Sequence, residues 1–351
     1  MVAPWLDAFP RTVQPMLDEI DSNLKHPLSR IIAEGPSSML SATENAQPAI
    51  MATSVIILRV LEREFGFRME ARVDVTLGHS LGEFAALVAG GYLSFPDALR
   101  LVRRRAEVMA ACAKEATERE GGREVGMVAL VCENEERLKA LTEGIYDFLE
   151  LKSAGSKQDS EENPSVEEVL IANINSKNQI VLSGFIDKIT ELLTHLRQFG
   201  GHDPRHVRLN CDSPFHSPLM RPAQETVKRI LNSPSPTTGE DMVKFPGIIP
   251  CVSNVSARPF TSREQLKELL ARQCVETVRW WDSVKYLDQE EKVRRWIGIG
   301  PGKVGRNLVG KEVGMKGQVK GGGVWAITDP DEVAEVMRGL DATEQLDGEE
   351  A

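Results

Sequence analysis

A serine between two glycines is the first place in this 351-residue chain where chemistry could sit. Gly78-His79-Ser80-Leu81-Gly82 has the Gly-x-Ser-x-Gly spacing, with an extended run (Val73 to Leu77) before it and an Ala/Leu-rich helix (Leu81 to Ala89) after it. A serine at a sharp strand-to-helix corner is held in strained backbone with its hydroxyl projecting from the sheet. Small residues two before and two after leave room for the chain to cross itself. The free N–H groups opening the helix suit a developing oxyanion. The bare pattern also arises by chance in turns; the strand and helix around it are the setting a nucleophile requires.

A nucleophilic serine needs a base. Of the six histidines, His26, His195, His202 and His206 lie on polar or turn segments and read as surface residues. His79 adjoins the serine but points off the other side of the strand end, which suits packing or hydrogen bonding better than proton transfer. His216, in the loop Ser213-Pro214-Phe215-His216-Ser217-Pro218, gains weight only from a pairing with Ser80.

One cation stands out. The helix from Pro96 to about Lys114 has an apolar stripe of Leu99, Val102, Ala106, Met109 and Ala113. At 100° per residue Arg104 faces water, whereas Arg105 lies one turn from Val102 and Met109, so its guanidinium is expected partly inside the protein. A charge held there wants a carboxylate. From the helix alone, a structural salt bridge is the simpler reading.

Several elements must position these residues. Trp5 to Arg30 reads as helix broken by prolines, and a helix from Gln47 to Phe65 is apolar nearly all round, as in burial against a sheet. Strands at Val125–Val131, Leu170–Ile174, Gln179–Ser183 and His206–Asn210 alternate with helices from Asn134 to about Leu151 and from Ile186 to Phe199. That β-α-β-β-α-β order is ferredoxin-like. Strands are also expected at Ile248–Val255 and Val293–Ile299, the latter ending in the turn Gly300-Pro301-Gly302-Lys303. The polar stretch 152–167 reads as a disordered insertion, Gly321 to Gly323 as a flexible joint, and Asp341 to Ala351 as a loose acidic tail. The expected class is α/β, a large α/β-hydrolase-like domain with a parallel sheet (1–124 and 212–330) carrying an inserted ferredoxin-like subdomain (125–211), then a C-terminal helix and tail (331–351).

The net charge of −10 argues against nucleic acid and offers no polybasic membrane anchor. Five scattered cysteines form no metal-ligand spacing and fit a reducing compartment. No cofactor or metal is expected.

Taken together, Leu77-Gly-His-Ser-Leu-Gly-Glu-Phe84, Arg100 to Arg105, Asn173-Ile-Asn175 with Gln179 to Gly184, Ser213-Pro-Phe-His216, Arg272-Gln273 and Gly300-Pro-Gly-Lys303 resemble, in order, the motifs of malonyl-CoA:acyl-carrier-protein transacylases. The likeness spans about Trp5 to Leu308. It resembles the stand-alone enzyme of a dissociated fatty-acid synthase, of fungal mitochondrial type, and so implies a mitochondrial location, or else a cytoplasmic one. The resemblance implies malonyl transfer from malonyl-CoA to the pantetheine thiol of acyl carrier protein, by a monomer. Ser80 matches the acylated nucleophile, His216 the base and Arg105 the residue gripping the malonyl carboxylate. Gln273 matches an amide residue whose main-chain carbonyl orients the histidine, and Leu81 the donor of one oxyanion N–H. His79 and Asn175 match pocket-lining positions, and Phe215 resembles malonyl-preferring members. Arg103, Arg104, Lys303 and Arg306 are candidates for docking an acidic carrier protein.

Family members also begin with a strand and a Phe-Pro-Gly-Gln-Gly-x-Gln loop supplying a second oxyanion donor. Met1-Val2 aligns just after it, so the chain as written is expected to be much less active than one with that segment restored. Two rivals remain. An α/β-hydrolase esterase shares Gly-x-Ser-x-Gly but orders its triad serine, acid, histidine; a carrier-protein-binding scaffold would bind without acylation.

Overall fold

The computed structural model describes residues 1–156, 169–314 and 322–348. Its eight strands among the described residues are β1 (Thr76–Leu77), β2 (Val125–Val131), β3 (Val169–Ser176), β4 (Gln179–Phe185), β5 (Arg205–Arg208), β6 (Cys251–Val252), β7 (Arg295–Ile299) and β8 (Gly323–Ile327).

The apolar residues of β2, β3 and β4 pair locally. The four middle strands form one antiparallel sheet in the order β3-β4-β2-β5, with Met127 opposite Ser183 and Leu130 opposite Ile180. Helices Glu135–Ser156 and Ile186–Gln198 supply Leu138, Leu141, Ile145, Ile189 and Leu192, which close a core over Val128, Leu130, Ile171 and Leu182. This is the expected ferredoxin-like connectivity. The helix continues through Ser156, so 152–156 is helical rather than a disordered insertion; 157–167 lies outside the described residues.

The remaining strands are parallel and short. β1 pairs with β6 and β7 with β8, as two separate two-stranded sheets. Of the expected Val73–Leu77 only Thr76–Leu77 is a strand, and of Ile248–Val255 only Cys251–Val252. Proline explains the second: Pro250 has no N–H to donate, and its carbonyl accepts from Thr76 N–H (2.8 Å) where pairing begins. Among the described residues β1 and β7 are each paired along one edge. Residues 73–78 and 293–300 line one cleft of about 1320 Å³, which Met1 borders and which reaches His79, Ser80 and Leu81.

Helices enclose this body. Thr43–Glu64 is buried on most of its surface, as its composition requires, and packs on the helices Gly82–Ala89 and Phe95–Arg119 and on β7. The N-terminal segment divides into helices Ala3–Ala8, Pro10–Leu24 and Leu28–Glu34, each of which opens at or beside a proline. No loose tail begins at Asp341: the helix Pro330–Gly348 buries Val333, Val336 and Leu340, and Arg72 pairs with Asp341 (2.6 Å) and Glu344 (3.0 Å). Residues 349–351 and 321 lie outside the described set, and Gly323 begins β8 instead of a joint.

Candidate active site

The corner after β1 is as tight as its glycine implies. A Cβ on Gly78 would lie 2.0 Å from the carbonyl carbon and oxygen of Gly82, so only glycine fits where the chain crosses itself. Gly82 has open space where its Cβ would be, so the expected steric need for it is absent. Gly78→Ala is therefore expected to destroy the elbow and with it all activity, while Gly82→Ala keeps both; circular dichroism and a turnover assay on the pair check this.

Ser80 is held with φ +52°, and His216 with φ +57°. Left-handed backbone costs an L-residue about 1–3 kcal/mol, and such strain persists where the surroundings over-determine it. Here they do. The side chain of Asn254 accepts from Ser80 N–H (2.7 Å) and donates to Gly78 carbonyl oxygen (2.7 Å), spanning the turn. The His216 loop is tied down by Ser217 Oγ donating to Pro214 carbonyl oxygen (2.6 Å), by Ser213 Oγ on Asp212 (2.8 Å), and by Thr43 Oγ1 donating to Asp212.

These constraints bring Ser80 Oγ to 2.6 Å from His216 Nε2. His216 Nδ1 lies 2.7 Å from the main-chain oxygen of Gln273. A carbonyl only accepts, so Nδ1 carries the proton and Nε2 is free to take one from the serine. The imidazole is buried. Burial, reinforced by the Arg105 charge, pushes its pKa down to about 3 and keeps it neutral. The N–H of Leu81 has no hydrogen-bond partner among the described residues, as an oxyanion donor requires.

Arg105 is 1% exposed, deeper than its helix position alone suggests. It makes no salt bridge among the described residues. Its Nη1 donates to Gln47 Oε1 (2.5 Å) and its Nη2 to Gln273 Oε1 (3.0 Å), its guanidinium lies 5.4 Å from the Phe84 ring centroid, and its Nε is unpartnered among the described residues. The structural salt bridge read from the helix is thus replaced by two neutral amide oxygens. A buried guanidinium satisfied only by neutral groups keeps its affinity for an incoming carboxylate.

Gln273 joins the parts. Beyond its contacts with His216 and Arg105, its Nε2 donates to Ser80 carbonyl oxygen (2.8 Å) and to Glu83 Oε2 (2.6 Å). His79 Nε2 meets Asn175 Oδ1 (2.8 Å) and its ring packs edge-on to Trp280 (5.1 Å), so it is a packing residue beside the site; burial lowers its pKa. Asn175 reaches it from β3 of the small subdomain. The proposed docking cations are mostly engaged elsewhere: Arg103 and Arg104 share Glu107, and Lys303 pairs with Glu332.

Three residues of this arrangement escaped the sequence reading: Glu83, Asn254 and Gln47. Only Glu83 left a signal, as an acid in the first turn of an otherwise apolar helix; Asn254 sat in an expected strand and Gln47 in a helix start.

Comparisons with known proteins agree with this geometry. Residues 7–147 match the family described as acyl transferase domain. Over 296 residues the chain is 36% identical to the malonyl CoA-acyl carrier protein transacylase of Bacillus subtilis (strain 168), covering 84% of this chain and 81% of that one. The crystal structure of an acyl-carrier-protein-S-malonyltransferase from Bartonella henselae is similar with a TM-score of 0.73 and 31% identity, covering 94% of this chain and 91% of that one. That of MCAT from Streptococcus pneumoniae gives a TM-score of 0.75 at 28% identity, covering 96% and 95%.

Proposed function

The chain belongs to the malonyl CoA-acyl carrier protein transacylase family, and on that premise we propose that Ser80, His216 and Arg105 carry its malonyl transfer. It is an acyltransferase that moves malonyl from malonyl-CoA to acyl carrier protein for fatty-acid synthesis. The observation that supports these residue roles is the line from Ser80 Oγ through His216 to the Gln273 carbonyl, with the same glutamine on Arg105.

In the first half-reaction Ser80 Oγ attacks the thioester carbonyl while its proton passes to His216 Nε2. The oxyanion takes the Leu81 N–H, and a second donor is expected from the upstream loop. Collapse expels the thiolate of CoA, which takes the proton from His216 and leaves malonyl-Ser80. In the second half the pantetheine thiol of the carrier protein gives its proton to His216 and attacks the ester; Ser80 recovers the proton as it leaves. Arg105 holds both oxygens of the free malonyl carboxylate throughout. An acetyl group leaves that buried cation unpaired and is discriminated against. An esterase of the α/β-hydrolase type would place an acid on the histidine; here a main-chain carbonyl occupies that position.

Mass spectrometry after malonyl-CoA tests the assignment. A malonyl adduct on Ser80 that carrier protein removes supports it; rapid ester hydrolysis with no adduct favours the esterase, and carrier-protein binding with no adduct favours the scaffold.

The reading extends to the cleft beside β1 and β7. Met1 borders it, so a segment joined ahead of Met1 would start beside two strand edges that are unpaired among the described residues. Adding a strand and the Gly-Gln-Gly-x-Gln loop there is expected to raise turnover about a hundredfold to a thousandfold, the usual worth of one oxyanion donor. Equal turnover with and without the segment refutes it. The proposal also takes the protein to be a monomer, checked by its sedimentation, and the stand-alone mitochondrial type, checked by fractionating cells.

A further inference from the structure

Glu83 is a carboxylic acid with no exposed surface, on the first turn of the elbow helix. Among the described residues no salt-bridge partner explains its burial, and an apolar residue would pack there at lower cost. Two N–H donors do explain it. Its Oε1 accepts from the main-chain N–H of Asn254 (3.1 Å) and its Oε2 from Gln273 Nε2 (2.6 Å). Each of those residues grips a different part of the site. Asn254 spans the elbow from Ser80 N–H to Gly78 carbonyl oxygen. Gln273 orients His216 through its main chain and accepts from Arg105 through Oε1.

We propose that Glu83 is a positioning residue for both halves of the site, aligning the malonyl clamp through Gln273 and the nucleophile through Asn254. The inference rests on the roles proposed above for Ser80 and Arg105. Its logic lies in the direction of the amide. Gln273 keeps Oε1 on Arg105 because Nε2 is engaged by two acceptors, Glu83 and the Ser80 carbonyl. With Glu83 as an acceptor, the guanidinium stays in one orientation. A glutamine at position 83 presents an NH2 to an N–H donor whichever way it lies, and so spoils either the Gln273 contact or the Asn254 contact. Burial pushes the Glu83 carboxyl up to about 8, against the opposing pull of the two donors and Arg105; neutral or ionised, both its oxygens still accept, which an amide nitrogen cannot do.

The experiment is a cycle of E83Q and Arg105→Ala, read as the rate constant for acylation of Ser80 by malonyl-CoA and by acetyl-CoA in single turnover. Wild type comes first: no malonyl-Ser80 there defeats the functional assignment and leaves the Glu83 inference without a reaction to act on, which also overturns it. With wild type active, E83Q is expected to lower the malonyl rate about 10–100-fold, the usual effect of losing an outer partner, and to lower the malonyl-to-acetyl ratio about tenfold. In the Arg105→Ala background E83Q leaves the ratio unchanged, because the clamp it aligns is gone. Asn254→Ala slows both donors equally. A purely structural Glu83 gives a different result: fewer active molecules by burst amplitude, with rate constants and ratio unaltered in those that fold. That outcome overturns the proposal. Should E83Q not fold, Glu83→Asp keeps the carboxyl group but shortens the reach; it is expected to lower the ratio likewise, and an unaltered ratio is again fatal.

Discussion

Replacing Arg105 with alanine is expected to lower malonyl transfer about a thousandfold while leaving acetyl transfer no slower than in wild type. The magnitude follows from what is removed. Truncating one partner of a buried, hydrogen-bonded charge pair costs about 2–5 kcal/mol, and each 1.4 kcal/mol is about tenfold in rate. The malonyl carboxylate then enters a pocket whose remaining polar groups, Gln47 Oε1 and Gln273 Oε1, are acceptors that repel it. Acetyl donors lose nothing, since in wild type they leave the guanidinium facing no acid. Competition between malonyl-CoA and acetyl-CoA for Ser80, measured from the two adduct masses, gives the ratio directly. If the preference for malonyl survives, the clamp lies elsewhere.

His216→Ala is expected to slow acylation of Ser80 about 10²–10⁴-fold, the worth of a placed general base. Its pH behaviour is the sharper test. Burial and the Arg105 charge depress the imidazole from 6.5 to about 3, so the free enzyme holds the base unprotonated throughout the ordinary working range. The kcat/KM for acylation should then show no acid limb near 6.5. The same contact has a second consequence. Arg105 lowers the basicity of His216, so a malonyl carboxylate that neutralises Arg105 makes the base stronger once substrate is in place. Arg105→Ala imitates that change, and its acid limb is expected to move upward toward 6.5. A limb near 6.5 in wild type, unmoved by the substitution, would show an ordinary exposed imidazole and contradict the site.

Much of this was readable from residue order because the causes are local. Gly78 announces the elbow, since no side chain fits beside Gly82. Strands β2, β3 and β4 pair through close neighbours in sequence. The Arg105 stripe follows from helical period alone. The rest depends on residues that meet from far along the chain: Asn254 and Gln273 reach Glu83 across separations of 171 and 190 residues. A charged residue in the first helical turn reads as solvent-facing or as complementing the helix dipole, and only those distant donors bury it. The same holds for Arg105. Sequence asked for a carboxylate; the fold supplied two amide oxygens, leaving the acid to the substrate. The expected strand Ile248–Val255 shrank because Pro250 cannot donate, whereas the Asp341 tail gained order from Arg72, which no local pattern could foretell.

The contact between the two parts of the molecule has a mechanical consequence. Val278 exchanges main-chain hydrogen bonds with β3, giving one to Ala172 oxygen (2.8 Å) and taking one from Ile174 N–H (3.0 Å), and two residues later Trp280 bears on His79, itself tethered to Asn175. The antiparallel layer is thus riveted to the floor beside Ser80 at three points within a few residues. A swinging roof would shear all three at once. Donor and acceptor are therefore expected to trade places without that layer lifting away, since lifting it would break all of these contacts together.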